Sequence, residues 1–241
     1  TSEDGLEWTK PELGIYPWEG SAANNILGAE MQLHSLFCEP DEPDPTRRYK
    51  GLMVTRQPRA GAKGFFNLAT SPDGLQWTKH PEAIGLMSSR AQDGYRGRQQ
   101  GLGDTNSLLF DEPLGRYIWH SKVFVGGKRA RAMLESDDLH HWTPPRVVLC
   151  ADALDAPDTQ LYDMHPLPYE SLWIAPLRVY RWRQFKQVEI QLAHSRDGRH
   201  YARSADRQVF LPLGSEDEWD ADYNICANPF FVDMGDELWI Y

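Results

Sequence analysis

Short apolar runs separated by polar turns recur along the whole chain. In NSLLFDEPLGRYIWHSKV, residues 106–123, two apolar runs flank a polar turn. The arrangement returns in HPLPYESLWIAPLRV from His165, in FFVDMGDELWIY from Phe230 and, with a longer turn, in HSLFCEPDEPDPTRRYKGLMV from His34. No segment carries a sustained helical period. The pattern predicts an all-β chain built from antiparallel hairpins.

A second type of hairpin carries the same short signature four times. It reads SEDGLEW at 2–8, SPDGLQW at 71–77, SDDLHHW at 136–142 and SRDGRHY at 195–201. Each Asp side chain can bond its own backbone two residues on, and Gly supplies the positive φ that a tight turn needs. Leu139 replaces the Gly in the third copy. We expect the closing aromatic residue to pack between neighbouring sheets.

The spacing of these signatures predicts a β-propeller. Their serines are 69, 65 and 59 residues apart, and each interval holds one hairpin of each type, enough for a four-stranded antiparallel blade. Residues 1–241 then form a single propeller domain of three full blades and two half-blades. Either the halves join into a fourth blade, or the parent protein has more blades, with strands beyond both ends. The second alternative is preferred, because the strand ELWIY stops in mid-pattern with an open edge.

Composition narrows the classes of partner. The formal net charge is -10 and no long basic run occurs, so we expect no nucleic-acid partner. No apolar run approaches the roughly 20 residues of a membrane-spanning helix.

The three cysteines are expected to be buried free thiols, with a disulfide between two of them left open. The sequence starts at Thr1 without a signal peptide. A secreted or periplasmic location is favoured, and the oligomeric state is left open.

The signature strings also carry a family resemblance. SDDLHHW resembles the S-x-D-L-x-x-W string of the five-bladed β-fructosidases, levansucrases and arabinanases, glycoside hydrolase families 32, 68 and 43. SEDGLEWTKPELG, RYKGL, SRDGRHYAR and FLPLGSEDEWD are similar to bacterial glycosyl hydrolase-like propellers. The sialidase Asp-box, S-x-D-x-G-x-x-W, is a rival, but three copies here lack the residue between Asp and Gly. The shared strings are hairpins, so the resemblance speaks for fold more than for chemistry.

The resemblance implies a pocket on the propeller axis in which carboxylates from successive blades cleave a glycosidic bond. That reaction needs one protonated and one ionised carboxyl group. Asp104, before the strand TNSLLF, Asp163 in QLYDMHPLP and Asp222 in EDEWDADYN are the catalytic candidates. The family's standard triad does not carry over completely, because Asn24 and Asn25 stand where the first full blade should offer an Asp.

The expected partner is a carbohydrate, held by polar and aromatic residues at the same end of the blades. The substrate-binding candidates are Asn24, Asn25, Arg96, Arg98, Asn106, Tyr162, His165 and Asp220. Aromatic rings that could stack on sugar faces are Trp18, Trp173, Trp182, Tyr162 and Tyr180. No cofactor is expected, although an axial Ca²⁺ held by Asp and Asn oxygens is compatible with such a propeller.

Two functional hypotheses follow. The first is a glycoside hydrolase that acts on a poly- or oligosaccharide through the axial carboxylates. The alternative is a non-catalytic glycan-binding or scaffolding propeller, which the amides at Asn24 and Asn25 favour.

Overall fold

The computed structural model describes residues 1–29, 31–56, 64–87, 101–181, 186–225 and 231–241, apart from the side chains of Leu86 and Phe231. Across these residues the regular structure is β-strand, with two short 3-10 helices at Pro45–Arg47 and Glu112–Leu114. All strand pairings within the sheets are antiparallel. The all-β prediction is confirmed.

The first two sheets are four-stranded meanders, and we call each such sheet a blade. The first blade consists of β1 (Leu33–Cys38), β2 (Tyr49–Thr55), β3 (Gly64–Ser71) and β4 (Thr78–Met87). The second consists of β5 (Asn106–Asp111), β6 (Arg116–Val125), β7 (Lys128–Ser136) and β8 (Arg146–Leu149). Their two middle strands are the most buried, because each is covered by a strand on both sides.

The third blade has the same plan, but its inner and outer strands are each in two pieces. The inner pieces β9 (Thr159–Met164) and β10 (Leu167–Tyr169) both pair with β11 (Leu172–Arg181). Strand β12 (Gln187–Ser195) follows, and it pairs with β13 (Ala202–Arg203) and β14 (Val209–Leu211). The inner strand therefore begins at Thr159, earlier than the predicted start at His165. Pro166 has no N–H for the ladder, which explains the break.

The two ends of the chain lie against each other. Strands β15 (Phe231–Asp233) and β16 (Leu238–Ile240) form a two-stranded hairpin. The first signature turn packs on it: the Trp8 and Tyr241 rings meet edge to face at 5.7 Å, and Gly5 lies against Trp239. The predicted half-blades are therefore neighbours. The expectation of further strands beyond either end stays a prediction.

All four signature turns have the local geometry that the sequence predicts. In the third copy the Asp138 Oδ1 atom accepts hydrogen bonds from the backbone N–H groups of His140 and His141, at 2.8 Å each, and Ser136 Oγ accepts from Leu139 at 2.9 Å. The other copies repeat the two Asp bonds. Leu139 adopts φ 68°, in the left-handed region that Gly occupies in the other three turns.

Aromatic residues pack the blades together. The rings of Trp119 in β6 and Phe66 in β3 meet edge to face at 5.1 Å. The Trp142 ring also meets Trp119 edge to face, at 5.3 Å. Tyr201 of the third blade meets His120 of the second at 5.5 Å. Inner strands of successive blades also touch, as Leu108 N donates to Ser35 Oγ at 2.8 Å. Together these contacts make the chain a β-propeller of four-stranded antiparallel blades, as predicted.

The prediction of buried thiols is wrong for the two cysteines that the structure describes. Cys38 and Cys150 are both free and exposed, because each lies at or just beyond the end of a strand at the edge of its blade, β1 or β8. Cys226 lies outside the described residues. No helix in the described part of the chain is long and apolar enough to span a bilayer.

Candidate functional site

The strand register gives each blade a matching position on its inner strand. The signature serines pair with Tyr49, Tyr117 and Trp173 in the first, second and third blades. Five residues further along those strands lie Val54, Lys122 and Arg178. Their partners on the inner side are Gln32, Thr105 and Asp163. The pairs are thus Val54 with Gln32, Lys122 with Thr105, and Arg178 with Asp163. We call them the axial positions, and residues next to them make contacts between neighbouring blades.

Asp104 precedes β5 and forms an ion pair with Lys122 of the adjoining strand. Its side chain is 42% exposed, whereas that of Lys122 is 5% exposed. Burial by itself would raise the pKa of Asp104, but the Lys122 ammonium outweighs burial and lowers it. Asp104 is therefore an ionised carboxylate that solvent and a ligand can reach.

Asp163 has a different environment, since its carboxylate is buried among cationic groups. Its Oδ2 atom accepts from His165 Nε2 at 3.0 Å and contacts the Arg178 guanidinium. An Nη atom of Arg131 lies 3.7 Å from its Oδ1 atom. Burial raises the pKa of Asp163, but His165, Arg178 and Arg131 more than offset that effect and lower it. The side chain is only 4% exposed, so its charge mainly serves to hold these partners.

Tyr162 lies between the two carboxylates, at the boundary between the second and third blades. Three cations lie around its ring: Lys122 Nζ at 4.7 Å, and the guanidinium carbons of Arg129 and Arg178 at 5.1 Å each from the centroid. Tyr180 meets the ring edge to face at 5.7 Å. An electron-rich aromatic face thus stabilises a local concentration of positive charge in an acidic protein.

Arg131 ties the inner strands of these two blades together. It donates to Thr105 Oγ1 at 2.8 Å and to the Tyr162 carbonyl at 3.0 Å, and Thr105 Oγ1 donates to the same carbonyl at 2.9 Å. Burial lowers the pKa of Arg131 to about 10, so it stays charged at neutral pH. This fixed cation keeps Asp104 and Tyr162 in register across the blade boundary.

His34 brings the first blade to the same place. Its Nδ1 atom donates to the Asp104 carbonyl at 2.9 Å, and its ring packs edge to face on Phe66 at 5.6 Å. Its Nε2 atom is buried without a hydrogen-bond partner among the described residues. Burial lowers the pKa of His34, so the imidazole is neutral at neutral pH. Asp104 therefore contacts the first and second blades, and its partner Lys122 lies against Tyr162 of the third.

The other predicted binding residues have varied positions. Asn106 is buried, and its amide bonds Trp119, Ser121 and Gly103. Its polar atoms are thus committed to the interior of the second blade, and a substrate contact for it stays a prediction. Arg96, Arg98 and Trp182 lie outside the described residues.

The expected place of Asn24 and Asn25 on the first full blade is wrong. Strand β1 begins at Leu33, so Gln32 occupies that axial position. Asn24 lies in the irregular segment before it, where its amide donates to the carbonyls of Tyr16 and Ser21 at 3.1 and 3.0 Å. Asn25 is exposed. The amides therefore do not replace a carboxylate at the axis.

Asp220 and Asp222 precede the last hairpin, as expected, but a neighbour of theirs reaches the site. Asp222 is exposed, and its carbonyl accepts from Val188 N at 3.0 Å. Tyr223 lies near Tyr162, and its pKa is raised by burial first and by that neighbour second. A catalytic role for Asp222 and a binding role for Asp220 stay predictions.

Sequence reasoning missed Lys122, Arg178, Arg131 and Tyr223. A signal for the first two exists, since each lies five residues after the aromatic residue that pairs with a signature serine. Finding it requires the strand register, which the apolar pattern alone leaves open. Arg131 and Tyr223 reach the site through contacts between elements, for which the sequence carries no local signal.

The described axial residues supply a base more readily than an acid. Of the described carboxyl groups with a shifted pKa, Asp111 is the one whose pKa is raised overall, with burial as the largest cause. Asp111 ends β5, about 23 Å along the chain from Asp104 at the usual strand rise per residue. Among the described residues, no group of three or more His, Cys, Asp or Glu side chains could hold a metal ion. The axial Ca²⁺ stays a prediction.

Comparison with known proteins supports the fold. No family model matches the chain, and no curated protein sequence matches it. Among solved structures, a protein described as a glycoside hydrolase aligns with a TM-score of 0.51 at 12% identity, over 74% of this chain and 54% of that one. A protein solved as an RGII complex aligns with a TM-score of 0.50 at 14% identity, over 73% of this chain and 52% of that one.

The α-L-arabinanase of Penicillium chrysogenum, complexed with arabinobiose, aligns with a TM-score of 0.47 at 13% identity, over 71% of this chain and 48% of that one. The chain thus spans about half the length of these three proteins. At such identities the likeness concerns the fold alone, and chemistry has to be argued from the residues of this chain.

Proposed function

We propose that this chain acts on a poly- or oligosaccharide at the axial positions, as a glycoside hydrolase with Asp104 as its reactive carboxylate. The observation that supports this most is the setting of Asp104: ionised, 42% exposed, and in contact with His34 of the first blade and Lys122 of the second. An ionised carboxylate can activate a water molecule or attack an anomeric carbon, and both are steps of glycosidic cleavage.

The neighbouring groups have supporting roles in this proposal. Lys122 keeps Asp104 ionised and, through the Tyr162 ring, fixes its place against the third blade. Asp163 is assigned a positioning role, because its oxygens already bind His165 and Arg178. Tyr223 offers a half-exposed ring and hydroxyl beside Tyr162, and both could contact a sugar.

Hydrolysis also needs a proton donor for the leaving group. Neither Asp104 nor Asp163 fits that role at neutral pH, because the pKa of each is lowered. This supports one of two arrangements: an activated leaving group that departs without protonation, or an acid other than these two, for which Asp222 stays a candidate. The lowered pKa values of Asp104 and Asp163 also support the alternative, a non-catalytic glycan-binding propeller.

A panel of aryl furanosides and aryl pyranosides tests the proposal, since an activated aryl leaving group needs little help from an acid. We expect turnover by the wild type and a loss of about 100-fold or more in kcat for Asp104→Asn, with KM little changed. Asp137→Asn is the matched control, because Asp137 is an exposed aspartate in the third signature turn. Equal rates for Asp104→Asn and wild type would refute the role of Asp104.

Calorimetry with unreacted oligosaccharides separates the two hypotheses. Binding together with turnover supports the hydrolase. Binding with no turnover of any aryl glycoside supports the glycan-binding propeller and removes the hydrolase. Absence of both binding and turnover contradicts the whole carbohydrate assignment.

A further inference from the structure

The first blade has a cavity where the other two blades have ion pairs. Its volume is about 340 Å³. The described residues that line it are Ala29, Met31, Gln32, Val54, Thr55, Arg56 and Lys79. Val54 and Gln32 occupy the axial position of this blade, which Lys122 with Thr105 and Arg178 with Asp163 occupy in the next two. Because the Val54 side chain is short and apolar, space remains at this position.

Two cations lie at the rim of this cavity. Arg56 follows β2, and its Nε atom donates to Gln32 Oε1 at 3.1 Å, which orients the guanidinium. Lys79 of β4 donates to Thr55 Oγ1 at 3.2 Å. Both side chains belong to exposed residues, and none of the described lining residues is acidic. The floor, from Met31 and Val54, is apolar.

His34 connects the cavity with Asp104, because charged groups at both places act on its imidazole. Burial is the largest cause of the lowered pKa of His34, Asp104 acts against it, and the positive charges of Arg56 and Lys122 add to the lowering. His34 also donates to the Asp104 carbonyl, so this one imidazole lies near both Arg56 at the cavity and Lys122 beside Asp104. Lys122 is balanced by Asp104, but in a chain of net charge -10 the pair of cavity cations Arg56 and Lys79 is a local exception that would concentrate an anionic ligand.

We propose that this cavity binds the carboxylate of an acidic sugar, so that the glycan which reaches Asp104 carries a uronate unit beside the reacting residue. The planar guanidinium of Arg56 matches a carboxylate with two parallel hydrogen bonds, and Lys79 adds a second positive charge. The Met31 and Val54 floor suits the apolar face of a pyranose ring. This inference rests on the proposed function, because it names the class of glycan for the same site.

Calorimetry with defined sugars tests it. The probes are the trisaccharides of galacturonate and of glucuronate, their neutral galactose and glucose counterparts, and inorganic phosphate. We expect the uronate trisaccharides to bind about tenfold or more tighter than the neutral ones, and the preference to weaken with added salt. The double variant Arg56→Gln with Lys79→Gln should lose that preference.

Arg116→Gln is the matched control, because Arg116 is a half-exposed arginine at the start of β6 that pairs with the exposed Asp137. It should leave the uronate preference unchanged, and circular dichroism should show both variants folded. Equal affinity for acidic and neutral sugars, or an unchanged preference in the double variant, overturns the inference while the proposed function stands. Tight binding of phosphate with no uronate binding overturns it in favour of a phosphate site. A chain that binds no sugar at all contradicts both proposals.

Discussion

Lys122 Nζ lies 4.7 Å from the centroid of the Tyr162 ring, across the boundary between the second and third blades. The same ammonium pairs with Asp104, and its position on the strand corresponds to that of Arg178, which pairs with Asp163. The second and third blades therefore each place a buried cation at the same position, and that cation holds a carboxylate. The two carboxylates differ in exposure, and that difference separates a candidate reactive group from a structural one.

Removing Lys122 should raise the pKa of Asp104. In Lys122→Met, burial still disfavours the ionised carboxylate, while the ammonium that favours it is gone. The acidic limb of the pH–activity profile should move to higher pH, and a carboxyl-carbon NMR titration of Asp104 should follow it. Lys122→Arg keeps the charge, so the pKa of Asp104 in that variant should stay close to its wild-type value. An unchanged titration in Lys122→Met would show that the ion pair does not form in solution.

Asp163→Asn should destabilise the fold by about 3 to 5 kcal/mol, because it leaves Arg131 and Arg178 buried without their counter-charge. Urea unfolding measures this. Adding Arg178→Met to Asp163→Asn should recover part of the loss, since one of the two uncompensated charges is then removed. A variant of full stability would contradict the positioning role of Asp163.

The signature turns can be tested with two adjacent aspartates. Asp138→Ala removes the acceptor of two backbone hydrogen bonds and of the Ser136 hydroxyl, and should cost about 1 to 2 kcal/mol of unfolding free energy. Asp137→Ala should change it by less than about 0.5 kcal/mol, because Asp137 makes only an exposed ion pair. Equal effects in thermal unfolding would argue against the turn bonds.

Leu139→Gly should destabilise the protein, although it restores the residue found in the other three turns. Glycine relieves a left-handed backbone strain of about 1 kcal/mol at φ 68°, but a fully buried leucine side chain contributes about 2 to 5 kcal/mol. Burial outweighs strain, so we expect a net loss of about 2 kcal/mol in chemical denaturation. A more stable variant would show that this side chain packs poorly.

His120 should make folding sensitive to acid. Its burial, and then the charge of Arg131, lower its pKa to about 3, from the ordinary value of 6.5 that applies in the unfolded chain. As pH falls from 6.5 towards 3, only the unfolded state takes up the proton, so stability is lost, by an amount on the order of 4 kcal/mol.

The His120→Phe variant should lose less stability than wild type over this range, because it keeps the aromatic packing on Tyr201 and has no group to titrate. His194→Phe, at an exposed histidine, should follow the wild type. Parallel stability curves for His120→Phe and wild type between pH 7 and pH 4 would contradict the prediction.

Much of the architecture could be predicted because it depends on local contacts. Each signature turn is held by Ser and Asp oxygens that bond backbone groups two or three residues away, so the short string contains all its own partners. The alternation of hairpins then follows from the apolar runs. The strand break at His165 and Pro166 and the exposure of Cys38 were missed, since both depend on which strand lies at an edge.

The sequence by itself determined the all-β class, the repeated turns and the candidate Asp104. Only the tertiary structure decided that Asp104 meets Lys122, that Asp163 is buried among Arg131, Arg178 and His165, and that the first blade leaves a cavity at the corresponding position. The bonds around this site join residues as many as 70 positions apart, as His34 and Asp104 are. A side chain's charge state and exposure depend on such partners, which come together only when the blades pack.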